Sequence, residues 1–222
     1  STPIEHPSVL RPLELLKRKG RKVKLVKVGR DGLVDLDDLK SKLNSNTVLV
    51  SVMYANKEIG TIEPIVKIGK IVKELGRALF HIDACQATEY LDMNVNRLGA
   101  DLLTFNGSKI YGPRGIGALY KRRGVKLLPL MLGGEQESGL RAGTENLPAI
   151  GGLAKALDGI SKKESERLAG LRDYFIKEIK DSSPDVVVNG ALGNQRLPNN
   201  INISVPNLSS EVLLLELEKY GI

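Results

Sequence analysis

Lys109 is the residue of this sequence whose type and surroundings best suit chemistry. It follows an apolar stretch, residues 102–105, that ends in the turn-forming pair Asn106-Gly107, and a Gly-Pro pair follows at residues 112–113. These residues predict a constrained turn after a strand, and open α/β sheets bind ligands at the carboxyl ends of their strands. A lysine held there and partly withdrawn from water can lose its proton and form a Schiff base with a carbonyl compound. On this segment alone, a solvated surface lysine is the commoner explanation.

Polar residues also follow two other apolar stretches. Asn-Lys-Glu at residues 56–58 comes after the apolar run 47–53, and Asp83 and Gln86 come after the run 78–82. If these runs are parallel strands, their carboxyl ends meet at one edge of the sheet. Three consecutive turns with polar residues on one edge exceed what solvated loops require. The sequence therefore predicts a ligand site at this edge that includes the lysine.

The elements that must position these residues are strands alternating with helices. A basic last turn and a glycine at residues 17–20 are the usual end of a helix, and continuous apolar runs indicate strands covered on both faces. This alternation predicts an α/β fold with a mostly parallel, doubly wound sheet. The predicted helices are residues 7–20, 35–43 and 62–75, and the predicted strands are residues 23–28, 47–53, 78–82, 102–105 and 116–121.

The second half of the sequence predicts the start of a smaller unit. A polar, glycine-rich loop at residues 133–144 precedes a long helix at residues 148–180, which we expect to be broken or bent near Gly151-Gly152 and Gly159. Such a helix often bridges two domains. The remaining predictions are strands at residues 186–188 and 201–205, a helix at residues 209–220, a large domain at residues 1–163 and a truncated small α+β domain at residues 164–222.

Composition indicates an ordinary globular protein. Hydrophobic residues make up 41% of the 222 residues and charged residues 27%, and no apolar run is long enough to span a bilayer. The single cysteine excludes an internal disulfide and suits a reducing cytoplasm. The net charge of +7 comes from scattered basic groups without interleaved aromatic residues, so we expect no nucleic-acid binding.

With these stretches in hand, the sequence resembles the cysteine desulfurases, which are enzymes of the aminotransferase class V group that depend on pyridoxal 5′-phosphate (PLP). The resemblance runs along essentially the whole chain and implies the type I PLP-transferase fold, with a large domain and the start of a small α+β domain. Its most specific motifs are residues 4–6, 56–60, 81–86, 107–117 and 140–145.

The resemblance implies a role for three residues in the chemistry. Lys109 corresponds to the lysine that binds PLP covalently. Asp83 corresponds to the carboxylate that keeps the pyridine nitrogen protonated, so that the ring can withdraw electrons from the substrate. His6 corresponds to the histidine that stacks on the ring and acts as acid and base, work that suits imidazole because its pKa lies near neutral.

Five further positions correspond to cofactor contacts of the family. Gln86 and Lys57 match positions near the phenolic oxygen of PLP. Asn106 and Ser108 match positions that contact the phosphate. Thr144 matches the threonine that reaches the phosphate bound by a partner subunit, so the resemblance implies a homodimer that completes each site across its interface.

The sequence departs from the family pattern at some of these positions. Lys57 replaces the usual asparagine, and a second ammonium there would pair with the phenolate or ease deprotonation of Lys109. Ser108 replaces a common histidine and would donate to phosphate without a positive charge. Glu135 and Ser138 replace a glycine and an arginine, which changes the expected geometry of the glycine-rich loop.

Two residues beside the proposed ring contacts are given no role in the chemistry. Cys85 lies between Asp83 and Gln86, and the resemblance places the cysteine nucleophile of the family elsewhere. His81 is interpreted as structural, with its side chain pointing away from Asp83.

The resemblance implies removal of sulfur from L-cysteine, which leaves L-alanine and an enzyme persulfide that supplies iron–sulfur clusters or tRNA thiolation. A scaffold or sulfur-acceptor protein would then be a partner, with no membrane involved. We expect the chain to be the central part of such an enzyme, cut at both ends and inactive alone. The alternatives are a selenocysteine lyase, another class V aminotransferase, or a non-catalytic scaffold that binds PLP or dimerises.

Overall fold

A four-stranded sheet forms the centre of the computed structural model, which describes residues 1–222. The strands lie in the order β1-β2-β3-β4; the first three are parallel, and β4 is antiparallel to β3. The prediction of an α/β fold with a mostly parallel sheet is confirmed. The four strands are β1 (Leu49–Met53), β2 (Leu79–Asp83), β3 (Leu102–Asn106) and β4 (Gly117–Lys121).

Seven α-helices surround or follow this sheet. The helices predicted at residues 7–20, 35–43 and 62–75 are present with shorter bounds. The Asp35 side chain caps the second of them by accepting from the Asp37 and Asp38 amides. No helix is long and apolar enough to cross a membrane. The helices are α1 (Pro7–Arg18), α2 (Leu36–Lys42), α3 (Ile65–Glu74), α4 (Val95–Leu98), α5 (Leu147–Asp158), α6 (Lys162–Ser182) and α7 (Ser210–Glu218).

Two predicted elements differ in the structure. Residues 23–28 are not a strand, because their only ladder contact is an isolated bridge between Val28 and Val34. An alternating pattern forms a strand only where a partner strand is available. Of the two breaks predicted in the long helix, the one near Gly159 is confirmed, because Ser161 accepts from the Glu164 amide and caps a new helix, which divides the segment into α5 and α6. The glycines at 151–152 lie inside α5 and do not break it.

The apolar core lies between one face of the sheet and helices α3 and α4. Phe80 and Ile82 of β2 belong to the same buried cluster as Ile68 of α3 and Leu98 of α4. Each such side chain contributes about 1.5–3 kcal/mol when fully buried. The two helices approach closely at Gly69, where a Cβ atom would lie 2.6 Å from the Leu98 carbonyl oxygen. The core therefore holds β2 rigidly, and with it the position of the strand's carboxyl end.

The C-terminal part forms a second, two-stranded antiparallel sheet of β5 (Val187–Val188) and β6 (Ile203–Ser204). Two buried arginines organise the loop that joins these strands. Arg196 donates to the carbonyl oxygens of Asn189 and Ala191, and Arg172 of α6 donates to the carbonyl oxygens of Arg196 and Leu197. The predicted division into domains at residues 163 and 164 stays a prediction.

Two buried carboxyl groups lie beneath the loops that follow β1. Glu5 accepts from the Thr2 hydroxyl and the Met53 amide, and Glu63 accepts from the Val34 amide. One oxygen of each carboxyl group is buried without a hydrogen-bond partner. Burial raises the pKa of Glu5 to about 7 and the pKa of Glu63 to about 8.

The raised pKa of Glu63 predicts that the protein loses stability as pH increases. Between about pH 4.5 and 8 the folded state holds a proton that the unfolded state has released, so the free energy of unfolding falls across this window. Glu63→Gln cannot lose a proton, and we expect it to match the wild type near pH 5 and to exceed it by on the order of 2 kcal/mol above pH 8. Urea denaturation at several pH values measures this difference. Glu58→Gln, at an exposed site, is the control, and parallel curves for Glu63→Gln and wild type would contradict the assignment.

Candidate functional site

The three parallel strands end side by side, and their carboxyl ends form the candidate site. Met53 at the end of β1 pairs with Asp83 at the end of β2, and Asp83 pairs with Thr104 near the end of β3. The Tyr54 amide donates to the Asp83 carbonyl oxygen and the Ala84 amide to the Thr104 carbonyl oxygen, so the loops leave the sheet in register. The three polar turns predicted to share an edge of the sheet do lie there.

Asp83 lies at the centre of this edge. Its side chain is almost buried, with 9% of the residue exposed, and its Oδ1 accepts from the Cys85 amide at 3.0 Å. It forms no ion pair with any residue of the chain. A buried carboxylate without a cation is costly, which makes Asp83 a candidate for binding a positively charged ligand atom.

His81 belongs to the same face of the sheet as Asp83, and the prediction that it points away was wrong. Side chains two residues apart in a strand lie on the same face, and β2 continues as far as Asp83. His81 bridges the neighbouring strands: its Nδ1 lies 2.8 Å from Ser51 Oγ and its Nε2 lies 3.2 Å from Thr104 Oγ1. Burial lowers the pKa of His81, so the imidazole is neutral at pH 7. Strand alternation was the signal that could have identified it.

Lys109 ends a short 3₁₀ turn, Gly107–Lys109, directly after β3. The turn is tight, since a Cβ atom on Gly107 would lie 2.9 Å from the Pro113 carbonyl oxygen. The constrained turn is confirmed. The predicted partial withdrawal from water is not, because Lys109 is exposed in this chain. Its amine makes no hydrogen bond or ion pair with another residue, so it is available to a ligand.

Asn106 and Cys85 connect the Lys109 turn with Asp83. Asn106 Nδ2 lies 3.5 Å from Cys85 Sγ, and Asn106 Oδ1 accepts from the Ser108 hydroxyl at 3.0 Å. The pKa of the Cys85 thiol is raised to about 12, first by burial and then by the charge of Asp83, against a smaller opposing effect of Lys109. Cys85 is therefore a protonated thiol at neutral pH, which agrees with its interpretation as a residue other than the nucleophile.

His6 lies where the N-terminal segment meets the end of β1. Glu5 binds the Met53 amide, and the Ile4 carbonyl oxygen accepts from Asn56 Nδ2 at 3.4 Å, so the segment is fastened to the sheet edge. The His6 side chain is exposed and caps α1, with Nδ1 accepting from the Ser8 amide at 3.2 Å. The structure thus gives His6 a capping role, which leaves its Nε2 without a partner.

Lys57 and Gln86 flank the edge. Lys57 is exposed, and its ammonium pairs with Glu58 Oε1 at 3.2 Å rather than with a residue of the β2 or β3 turns. Gln86 is half-buried and makes no side-chain hydrogen bond. Gln86 is therefore free to turn toward a ligand at the edge, whereas Lys57 would first leave its exposed pair with Glu58.

Thr144 lies outside the three turns that form the carboxyl edge of the sheet. It is exposed at the end of the glycine-rich loop, whose Gly143 amide donates to Gln136 Oε1 at 3.2 Å. Ser138, one of the departures noted in this loop, adopts a left-handed backbone with φ of 58°. The predicted role of Thr144 toward a second subunit stays a prediction.

The donor set fits a flat carbonyl compound that carries a ring nitrogen and an anionic group. Lys109 offers an unpaired amine, Asp83 an unpaired carboxylate, and Asn106, Ser108 and Gln86 offer neutral hydrogen-bond donors. No three histidine, cysteine or acidic side chains lie close enough together to hold a metal ion. PLP has the aldehyde, the pyridine nitrogen and the phosphate that these groups would bind.

Comparison with known sequences identifies the family of the chain. The family model described as aminotransferase class-V matches residues 1–222. The chain is 47% identical over 222 residues to the cysteine desulfurase IscS of Dictyoglomus turgidum and 46% identical over 229 residues to a cysteine desulfurase of a Nostoc species. It covers 99% and 100% of its own length in these matches and 56% of each relative, so it spans little more than half the length of these proteins.

Solved structures share the fold. A NifS-like protein superimposes with a TM-score of 0.93 at 36% identity, over 100% of this chain and 61% of that one. SspA, in a structure described as its complex with cysteine, superimposes with a TM-score of 0.84 at 33% identity, over 98% of this chain and 60% of that one. The sheet, the polar carboxyl edge and the family match over the whole sequence lead to one conclusion: the chain belongs to the aminotransferase class V family.

Proposed function

We propose that the protein containing this chain is a PLP-dependent cysteine desulfurase, which converts L-cysteine into L-alanine and an enzyme-bound persulfide. The observation that carries this proposal is the pair of groups at the sheet edge that lack an ion-pair partner, the Lys109 amine and the Asp83 carboxylate. The desulfurase names of relatives at 42–47% identity support the substrate. The sulfur would pass to an acceptor or scaffold protein for iron–sulfur cluster assembly or tRNA thiolation.

Lys109 and Asp83 would bind the two reactive groups of the cofactor, its aldehyde and its ring nitrogen. Bound PLP supplies an electron sink for the bond that breaks at the substrate α-carbon. Lys109 would bind the aldehyde carbon through its exposed amine. Asp83 would accept a hydrogen bond from the protonated ring nitrogen, and its near-complete burial makes that interaction stronger than it would be in water.

The remaining contacts would fix the position of the ring. Ser108 and Asn106 would donate to the phosphate, and in a homodimer Thr144 would reach the phosphate bound by the second subunit. Gln86 would donate to the phenolic oxygen. Lys57, once released from its exposed pair with Glu58, would add a positive charge on that side.

His6 would transfer a proton to or from the substrate. Because the Ser8 amide donates to Nδ1, the neutral ring carries its proton on Nε2, the atom without a partner. His6 would therefore donate from Nε2 while its Nδ1 keeps α1 capped. The acid would then be Nε2, a defined atom of the ring.

A prediction for Lys109 tests the cofactor assignment. Incubation of the chain with PLP followed by borohydride reduction is expected to leave a pyridoxyl group on Lys109, because its amine is exposed and unpaired on the turn after β3, whereas Lys57 pairs with Glu58. Mass spectrometry of the peptides locates the label. Lys109→Arg should remove the label and Lys57→Arg should keep it; labelling of Lys57 in the wild type would contradict the assignment.

A second prediction concerns the single cysteine. The chain supplied with PLP and L-cysteine is expected to release alanine no faster than free PLP does, because the Cys85 thiol, with its pKa near 12, is protonated at neutral pH. An alanine assay on wild type and Cys85→Ser measures this. Rapid alanine release that disappears in Cys85→Ser would make Cys85 the nucleophile and overturn its interpretation.

A further inference from the structure

The turn that follows β1 is fastened from outside by the C-terminal unit. Asn200 Nδ2 donates to the carbonyl oxygens of Lys57 and Glu58 at 3.3 and 3.1 Å, and Asn202 Nδ2 donates to the Glu58 carbonyl oxygen at 3.1 Å. These bonds join residues 142 to 144 positions apart in the sequence. Two side-chain amides from the C-terminal sheet region thus hold backbone at the edge of the proposed site.

Arg196 fixes the orientation of the Asn200 carboxamide. A guanidinium can only donate, and Arg196 Nη1 lies 3.2 Å from Asn200 Oδ1. The two backbone carbonyl oxygens can only accept, so the amide nitrogen must face them. Both sets of partners require the same orientation, which removes the usual ambiguity of an asparagine flip. Arg196 itself is 2% exposed and is held in place by Arg172.

Asn202 is oriented in the same way by Asn189. Asn189 Nδ2 donates to Asn202 Oδ1 at 2.8 Å, which leaves the Asn202 amide nitrogen for Glu58. The Asn189 carbonyl oxygen accepts from Arg196. One buried arginine therefore supports both carboxamides.

The fit between Asn200 and the turn is close. Gly60 has φ of 71°, and a Cβ atom there would lie 2.5–2.8 Å from atoms of the Asn200 side chain. The Leu197 amide also donates to the Gly60 carbonyl oxygen at 2.8 Å. Only glycine permits this approach, so the turn and the Asn200 side chain pack closely together.

From this turn the contacts continue into the site. Asn56 Oδ1 accepts from the amides of Glu58 and Ile59 at 2.9 and 3.1 Å, and Asn56 Nδ2 donates to the Ile4 carbonyl oxygen. Ile4 lies two residues before His6. The position of the turn therefore sets the position of Lys57 directly and supports the segment that carries His6.

We propose that Asn200 and Asn202 are positioning residues of the cofactor site, whose carboxamides hold the turn at residues 56–60 against the sheet edge. The C-terminal unit then fixes the position of the turn that carries Lys57 and supports the segment that carries His6. The inference rests on the proposed function, because PLP is the ligand whose binding reports the position of the turn.

Asn200→Asp tests this inference with little change in size. The variant keeps an acceptor for Arg196 and loses both bonds donated to the turn. Asn199→Asp is the matched control, because it adds the same charge one residue away, at an exposed side chain that makes no hydrogen bond. Two quantities are measured on the 222-residue chain: hydrogen–deuterium exchange of the amides at residues 58–60, and the dissociation constant of PLP from absorbance titration.

We expect faster exchange at residues 58–60 and PLP binding about threefold to tenfold weaker in Asn200→Asp than in Asn199→Asp, as for the loss of one or two hydrogen bonds. Asn202→Asp should show a smaller change in the same direction, and it serves as the test if Asn200→Asp does not fold. Faster exchange with unchanged PLP affinity would assign the asparagines to the fold alone and overturn the inference, as would unchanged exchange. Failure of the wild type to bind PLP would instead overturn the proposed function, and the inference with it.

Discussion

The alternation of side chains along β2 is the constraint on which the rest of this structure depends. Phe80 and Ile82 point into the core against α3, where each is buried almost completely. The same two-residue period places His81 and Asp83 on the opposite face. A shift of one residue in the pairing of β2 would exchange the two sets, so the packing of the core determines where the candidate site presents its carboxylate.

The candidate site is assembled from groups that remain incomplete within the chain. Asp83 is nearly buried without a cation, and the Lys109 amine lies on the adjacent turn without an anion. An isolated buried charge is costly, and a ligand that supplies the missing partner regains that cost as binding free energy. His81, two residues before Asp83 on the same face of β2, is satisfied by contrast, since it uses both ring nitrogens to join three strands. A preorganised binding site requires groups without partners that are held on rigid elements, and the paired strands that carry Asp83 and the Lys109 turn are such elements.

Much of this arrangement could be predicted from the sequence because its signals are local. Continuous apolar runs and helix-ending signals such as the basic turn and glycine at residues 17–20 located strands and helices, and the pattern of turns placed Asp83 and Lys109 at one edge. Residues 23–28 have an alternating pattern but no partner strand, which only the fold can reveal. The exposure of Lys109 and the bonds from Asn200 to Lys57 depend on contacts between distant segments. No local pattern reports such contacts.

The proposed site requires Asp83 to keep the ring nitrogen of a lysine-bound PLP protonated. Nitrogen-15 NMR of PLP labelled at its ring nitrogen measures this directly in the protein, because protonation changes the nitrogen chemical shift strongly. We expect a protonated ring nitrogen at neutral pH in the wild type and an unprotonated one in Asp83→Asn. An unprotonated nitrogen in the wild type, or the same signal in both proteins, would contradict it.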